Sequence, residues 1–125
     1  MGLKILHVFP WTSWGTLGGT EKYIIEVASA QAIDHDVTIA YPRRYQNTTN
    51  SSKQNLFTEI ELPDPNPNNR SLIGMGILCP QSLVQWKKLL VKERYDIIHF
   101  HCYEQYLLWY FIAAKKQSVK TVFTS

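Results

Sequence analysis

The feature that most constrains the fold is a regular alternation between short apolar runs and longer helical patterns along the 125 residues. The apolar runs are rich in Ile and Val and mostly continuous, which is typical of strands that are covered on both faces. They occupy residues 4–9, 36–41, 58–62, 96–101 and 120–124. The helical patterns occupy residues 20–33, 81–93 and about 103–116. This order predicts an α/β fold, a doubly wound parallel sheet of about five strands with helices on both faces.

The composition predicts a single domain over residues 1–125, because 45% hydrophobic and 18% charged residues are enough for one ordinary core. Two segments interrupt the alternation. Residues 43–57 are polar, and residues 63–80 begin with a proline-rich stretch that can sustain neither a helix nor an inner strand. Both segments are expected to form irregular surface loops.

Charge and cysteine content exclude several classes of function. The net charge is +3, and the basic residues occur in short, separated pairs. Such pairs do not form the long basic cluster that binds a nucleic-acid backbone, so nucleic-acid binding is not expected. Cys79 and Cys102 are far apart and form no C-x-x-C pair, so neither a disulfide framework nor a zinc module is indicated. The apolar stretch before Pro10 is too short for a signal-peptide core. A cytoplasmic location is therefore expected.

A glycine-rich turn follows the first strand and opens the first helix, over residues 15–22. Glycine allows close backbone approach, and the first amide groups of a helix attract anions, so the turn predicts a phosphate cradle at Gly18 and Gly19. The spacing fits neither the P-loop nor the dinucleotide-binding G-x-G-x-x-G pattern. A second interpretation stays open, in which the two glycines only allow a tight turn into a packed helix.

Polar residues end the fourth strand, at His101, Tyr103 and Glu104. Ligands of open parallel sheets bind outside the carboxyl ends of the strands, where the strand order reverses. The first and fourth strands are expected to flank that point, which places the glycine turn beside these three residues. His101 and Glu104 are the candidate catalytic residues, and Tyr103 is the candidate substrate-binding residue.

Two histidines of the fourth strand, His99 and His101, are expected to project to one face. A metal site would also recruit Cys102 or Glu104, but this spacing matches no recognised zinc pattern, and no metal site is predicted. His99 is expected to be a core histidine bonded to a neighbouring strand or helix end. For His101, a ligand-facing role and a structural role both stay open.

The third helical pattern contains a stretch, residues 106–114, that is apolar on all sides. Nine residues are too few to span a bilayer. Uniform apolarity predicts a helix buried between the sheet and neighbouring structure. The alternative is an interfacial contact with lipid or with another domain.

Three motifs, read together, resemble the N-terminal domain of family-four GT-B glycosyltransferases. Members typically begin with a Lys-Ile-Leu-His-Val strand, continue with Gly-Gly-x-Glu at a helix start, and carry an Asp-Ile-Ile-His-x-His strand. The sequence shows them in that order at residues 4–8, 18–21 and 96–101. The resemblance implies a Rossmann-like domain that packs against a second one. It also implies that the second domain holds most of a nucleotide-sugar donor, with the Gly18-Gly19 turn near the donor diphosphate, and that no other cofactor is needed.

The leading hypothesis is therefore the acceptor-side part of a sugar transferase, inactive alone, which needs a C-terminal domain or a split partner. Its acceptor would be a sugar or a lipid-linked group, and a peripheral contact with the inner face of the membrane belongs to the same hypothesis. The alternative is a non-catalytic Rossmann-like module that binds a phosphorylated ligand or a partner protein. An oxidoreductase is disfavoured by the glycine spacing and because Tyr41-Pro42-Arg43-Arg44, without an acidic residue, follows the second strand.

Overall fold

The computed structural model of the chain describes residues 2–10, 19–42, 57–63, 79–102 and 106–124. The sequence-predicted strands and helices are confirmed, with boundaries that shift by four residues at most. The strands are β1 (Lys4–Val8), β2 (Asp36–Tyr41), β3 (Thr58–Glu61), β4 (Ile97–His101) and β5 (Lys120–Thr124). The helices are α1 (Gly19–Gln31), α2 (Pro80–Glu93) and α3 (Leu107–Lys116). The two loops expected at residues 43–57 and 63–80 lie almost wholly outside the described residues.

The five strands form one parallel sheet in the order β3-β2-β1-β4-β5. From β1 the chain first proceeds outward to β2 and β3, then returns to the other side of β1 to form β4 and β5. The strand order therefore reverses between β1 and β4, as the alternation of elements predicted. In this register His7 of β1 lies directly opposite His99 of β4.

The core has two layers, one on each face of the sheet. Helix α1 covers one face, where Ile24 and Ala28 pack on the central strands. Helices α2 and α3 lie side by side on the other face and share the larger cluster. Trp86 of α2 is fully buried, stacks on Tyr110 of α3 with ring centroids 4.8 Å apart, and donates its indole N–H to the Tyr110 carbonyl at 2.9 Å. The two helices therefore pack as one layer.

Helix α3 is not buried on all sides, so that prediction is wrong. Its Leu107, Tyr110, Ala113 and Ala114 face the core, because only one side of the helix contacts the sheet and α2. The opposite side exposes three large apolar residues, Leu108, Trp109 and Ile112. No helix among the described residues is long and apolar enough to cross a membrane.

The outer strands also differ from the expectation of strands covered on both faces. Strands β1 and β2 are almost wholly buried, whereas no residue of β3 or β5 is fully buried. The reason is topological, since an edge strand of the described sheet has a neighbour on one side only. The two apolar residues of strand β5, Val122 and Phe123, are therefore exposed.

Candidate functional site

A cavity opens at the carboxyl edge of the sheet, where β4 and β5 end beside the first turn of α1. Its volume is about 260 Å³ within the described part of the chain. The lining residues are Gly19, Thr20, Tyr23, His101, Cys102 and Thr124.

Gly19 is the first residue of α1 and forms part of the cavity wall. A Cβ atom built on Gly19 meets no heavy atom of the described residues within 4 Å, and the φ of Gly19 lies outside the left-handed region. A positive φ is therefore not the reason for glycine at this position. The feature that can serve a ligand is the N-terminus of α1, where backbone amide groups lack intrahelical partners. Gly18 lies outside the described residues.

Three histidines form a cluster behind the cavity: His7 and His101, which are buried, and His99, which is partly buried. The His7 Nδ1 and His101 Nε2 atoms are 2.8 Å apart, and the His7 Nε2 atom lies 2.7 Å from Gln31 Oε1. Because a carboxamide oxygen can only accept, His7 donates from Nε2 and accepts at Nδ1. His101 then donates from Nε2, which leaves the lone pair of its ring on Nδ1.

All three rings are neutral near pH 7, because burial disfavours the charged form. Desolvation lowers the pKa of His7, and the hydrogen bond that His7 donates to Gln31 opposes this shift. Desolvation, with repulsion from His7, lowers the pKa of His99 to about 4. Desolvation, with repulsion from His99 and His7, lowers the pKa of His101 to about 3. A histidine with so low a pKa is a hydrogen-bonding group rather than a proton carrier at neutral pH.

One nitrogen from each of these rings lies within 4.8 Å of the others, which is close enough to raise the question of a metal ion. The ring orientations argue against one. The His99 and His101 rings are stacked, with centroids 3.9 Å apart and planes 21° apart. Imidazole lone pairs lie in the ring plane, so two stacked rings cannot both point at one ion without rotating. The arrangement is that of a hydrogen-bonded structural cluster.

The residues predicted from the sequence fall into two groups. Gly19 and His101 line the same cavity, whereas Gly18, Tyr103 and Glu104 lie outside the described residues. His99 behaves as expected, because its Nε2 atom lies 2.7 Å from Thr124 Oγ1 on the neighbouring strand β5.

Sequence reasoning missed His7, Tyr23 and Thr124. A signal existed for His7, since strands predicted to be neighbours carried His7 and His99 at equivalent positions. No comparable signal existed for Tyr23 or Thr124, whose places in the cavity depend on how α1 and β5 pack.

Cys102 is the residue at which β4 turns into the cavity wall. Its φ is 65°, in the left-handed region that non-glycine residues rarely adopt, and its N–H donates to the Thr124 carbonyl at 2.6 Å. Backbone strain of this kind is concentrated at ligand sites, where surrounding contacts hold it in place. The cavity is thus built on a strained strand end and a helix start.

The comparison with known families decides what kind of fold carries this cavity. A profile of Glycosyltransferase Family 4 matches residues 17–125. The chain belongs to this family. The resemblance seen in the three sequence motifs is confirmed at that level, and the match includes both strands and the helix that surround the cavity.

Solved structures similar to this family-4 chain support the same α/β fold. A glycosyltransferase from Rickettsia africae superposes with a TM-score of 0.65 and 23% identity, over 99% of this chain and 30% of that chain. A hydrogenase C-terminal domain from Pyrococcus furiosus superposes with a TM-score of 0.65 and 22% identity, over 98% of this chain and 90% of that chain. A putative UDP-N-acetylglucosamine 2-epimerase from Listeria monocytogenes superposes with a TM-score of 0.62 and 11% identity, over 98% of this chain and 30% of that chain. At these identities the likeness concerns the fold alone. A comparison with curated proteins finds no significant match.

Proposed function

We propose that this family-4 chain is the acceptor-side part of a glycosyltransferase, and that a second domain supplies most of the site for a nucleotide-sugar donor. The observation that carries the proposal is the cavity shared by the start of α1 and the end of β4, in a chain of this family. The chain spans less than a third of the length of the Rickettsia africae glycosyltransferase, which is consistent with a need for further structure.

In this proposal the start of α1 receives the donor diphosphate. The helix N-terminus supplies backbone N–H groups and a partial positive charge, which stabilise the negative charge that develops as the diphosphate departs. Because Gly19 has no side chain, a ligand oxygen can approach the backbone of this first residue of α1 closely.

His101 has the role of orienting an acceptor hydroxyl. The Nε2–H group of His101 donates to His7. The Nδ1 atom of His101 therefore keeps its lone pair and can accept a hydrogen bond from the substrate. The lowered pKa of His101 keeps the ring neutral and this lone pair free of a proton. Positioning of this kind accelerates a transfer without a proton-transfer step at the histidine. Glu104 and Tyr103 are retained as the catalytic and substrate-binding candidates of the adjoining segment.

The phosphate role is tested with Gly19→Val. Among the residues that the structure describes, no atom lies where the first carbon of the new side chain would go, so the variant is expected to fold. The matched control is Ala30→Val, the same kind of β-branched addition on an exposed position of the same helix. We expect Gly19→Val to weaken the binding of pyrophosphate and of nucleoside diphosphates about tenfold or more, measured by calorimetry, and the control to leave binding unchanged. Equal affinity of a folded Gly19→Val chain would contradict the phosphate role.

The transferase role is tested by assaying a panel of nucleotide sugars and acceptors with the chain alone and joined to a donor-binding second domain. We expect turnover only in the joined protein, because both halves of the site must surround the transition state. Sustained turnover by the chain alone would show that no second domain is needed. Phosphate binding without turnover in the joined protein would favour the alternative, a non-catalytic module that binds a phosphorylated ligand.

A further inference from the structure

The outer face of the α2–α3 layer combines exposed apolar side chains with lysines on both helices. On α2 the residues pointing away from the core are Val84, Lys87, Lys88, Val91 and Lys92. On α3 they are Leu108, Trp109, Ile112, Lys115 and Lys116. We refer to these ten residues as the lysine–apolar face.

Each set follows the spacing of one helix side. The α2 set recurs at intervals of three and four residues, opposite the buried Ser82, Trp86 and Leu90. The α3 set lies opposite the buried residues of that helix. Because the Trp86–Tyr110 contact holds the helices side by side on one face of the sheet, both sets point away from the sheet and form one surface.

The charge on this surface is of one sign. Five lysines lie on it, and the two helices contain one acidic residue between them, Glu93. Glu93 is bound by Lys4, whose Nζ atom lies 2.8 Å from its Oε1 atom. The partner that complements this surface is therefore anionic.

The apolar members narrow the choice of anionic partner. Val91 is 60% exposed, Val84 49% and Trp109 47%, and they stand among lysines whose long stems can extend past them. Lysine presents a point charge and not the planar fork that pairs with one fixed carboxylate. A fluid lipid surface can complement both the lysine charges and the apolar side chains. Anionic headgroups can gather at the ammonium groups while Val and Trp side chains enter the interfacial region.

We propose that the lysine–apolar face docks this chain on an anionic lipid bilayer. The helices lie in the plane of the interface and do not cross it. This contact is separate from the cavity at the carboxyl edge of the sheet. It gives a location to the peripheral membrane contact that belongs to the sugar-transferase hypothesis, and its test requires no transferase activity. It also assigns a role to the exposed side of α3, which the fold itself does not explain.

The test is co-sedimentation of the full chain with vesicles of phosphatidylcholine alone and of phosphatidylcholine mixed with phosphatidylglycerol. We expect binding to the mixed vesicles only, weakening as salt is raised. Lys88→Glu changes the charge of the face by two units and is expected to lower the partition coefficient about 25-fold, at about fivefold per charge. The matched control is Lys22→Glu on α1, an exposed lysine in the layer on the opposite side of the sheet, and it is expected to bind nearly as tightly as the parent.

A second pair of variants tests the apolar contribution. Trp109→Ser is expected to reduce binding several-fold, whereas Ile33→Ser, at a residue 72% exposed beyond the end of α1, is expected to leave it unchanged. Circular dichroism establishes that each variant is folded. Should Lys88→Glu fail to fold, Lys88→Gln replaces it, with an expected loss of about fivefold.

Three results would overturn the proposal. One is the absence of binding to phosphatidylglycerol vesicles at low salt. Another is equal loss of binding in Lys88→Glu and Lys22→Glu, which would mean attraction by net charge without a docking face. The third is binding of soluble polyglutamate, lost in Lys88→Glu, by a chain that ignores vesicles, since the face would then recognise an acidic protein.

Discussion

His7, His99 and His101 illustrate how burial changes the chemistry of a residue type. Each ring carries a lowered pKa, with desolvation as the first cause in all three. Their hydrogen bonds to Gln31, Thr124 and each other are those of neutral imidazoles. The cluster therefore connects the central strand β1 to the cavity wall at the end of β4 and to β5, as long as no ring is protonated.

The free energy of unfolding is accordingly expected to decrease as the pH is lowered. The folded-state pKa values lie below the unfolded value near 6.5, so the unfolded chain binds more protons below that pH. Stability is therefore fully present above pH 6.5 and is lost as the pH falls towards the folded values of about 4 for His99 and about 3 for His101. Each fully buried histidine accounts for at most about 2 kcal/mol at pH 5.

Urea unfolding of the chain between pH 7 and pH 4.5 or so measures this dependence. We expect His99→Gln to flatten the pH profile, because one titrating group is removed. Thr124→Val is the comparison variant, since it removes a hydrogen-bond partner of His99 and keeps the ring. It is expected to lower stability at pH 7 and to keep the pH dependence. An unchanged slope in His99→Gln would contradict the role of the cluster.

Among the elements, helix α2 has start and stop signals that act through local geometry. Pro80 stands in the first turn, where its missing N–H is not needed, and the helix ends at Arg94. Arg94 adopts φ 53° and ψ 62°, and its N–H donates to the Leu90 carbonyl at 3.0 Å. This left-handed conformation at a helix end is the one that glycine adopts without steric cost.

Arg94→Gly is therefore expected to stabilise the protein by about 0.5–1 kcal/mol, through relief of the left-handed strain at an exposed position. The matched variant is Lys92→Gly, two residues earlier and inside the helix, which is expected to destabilise it by about 1 kcal/mol. Both free energies follow from urea unfolding at pH 7. Destabilisation by Arg94→Gly as large as that by Lys92→Gly would mean that the side chain of Arg94, and not its backbone, matters at this position.

At the scale of the whole molecule, the two edges of the described sheet are unlike each other. Strand β3 carries Glu59 and Glu61, and charged side chains on an edge oppose pairing with another sheet. Strand β5 has a lysine only at its first residue and exposes Val122 and Phe123. The β5 edge is therefore the better site for contact with further structure, either a following part of the protein or a second copy.

The purified chain is accordingly expected to self-associate through β5 as its concentration rises. Val122→Lys places a charge on this edge and is expected to shift the chain towards monomer in sedimentation velocity. Ile33→Lys adds the same charge at an exposed apolar residue away from the edge, and is expected to leave association unchanged. A chain that stays monomeric at high concentration, or two variants with equal effects, would contradict a role for the β5 edge.

The sequence by itself determined the order, type and approximate bounds of the strands and helices, because these depend on local periodicity and on proline and glycine positions. The Asp36–Tyr41 and Lys120–Thr124 strands match to the residue. The reversal point between β1 and β4 followed as well, since right-handed crossovers allow few alternatives. Hence the sequence alone predicted that Gly19 and His101 belong to one site, and both line the same cavity.

Only the tertiary structure decided which surfaces are covered and how the histidines pair. Side chains apolar all around α3 look equivalent in the sequence, yet packing buries Tyr110 and exposes Trp109, its neighbour. The pairing of His7 with His101 joins residues 94 positions apart, and the pKa of each is lowered mainly because the folded chain buries it. Sequence periodicity depends only on residue type and spacing along the chain. Burial and protonation depend on which residues the folded chain places around each side chain.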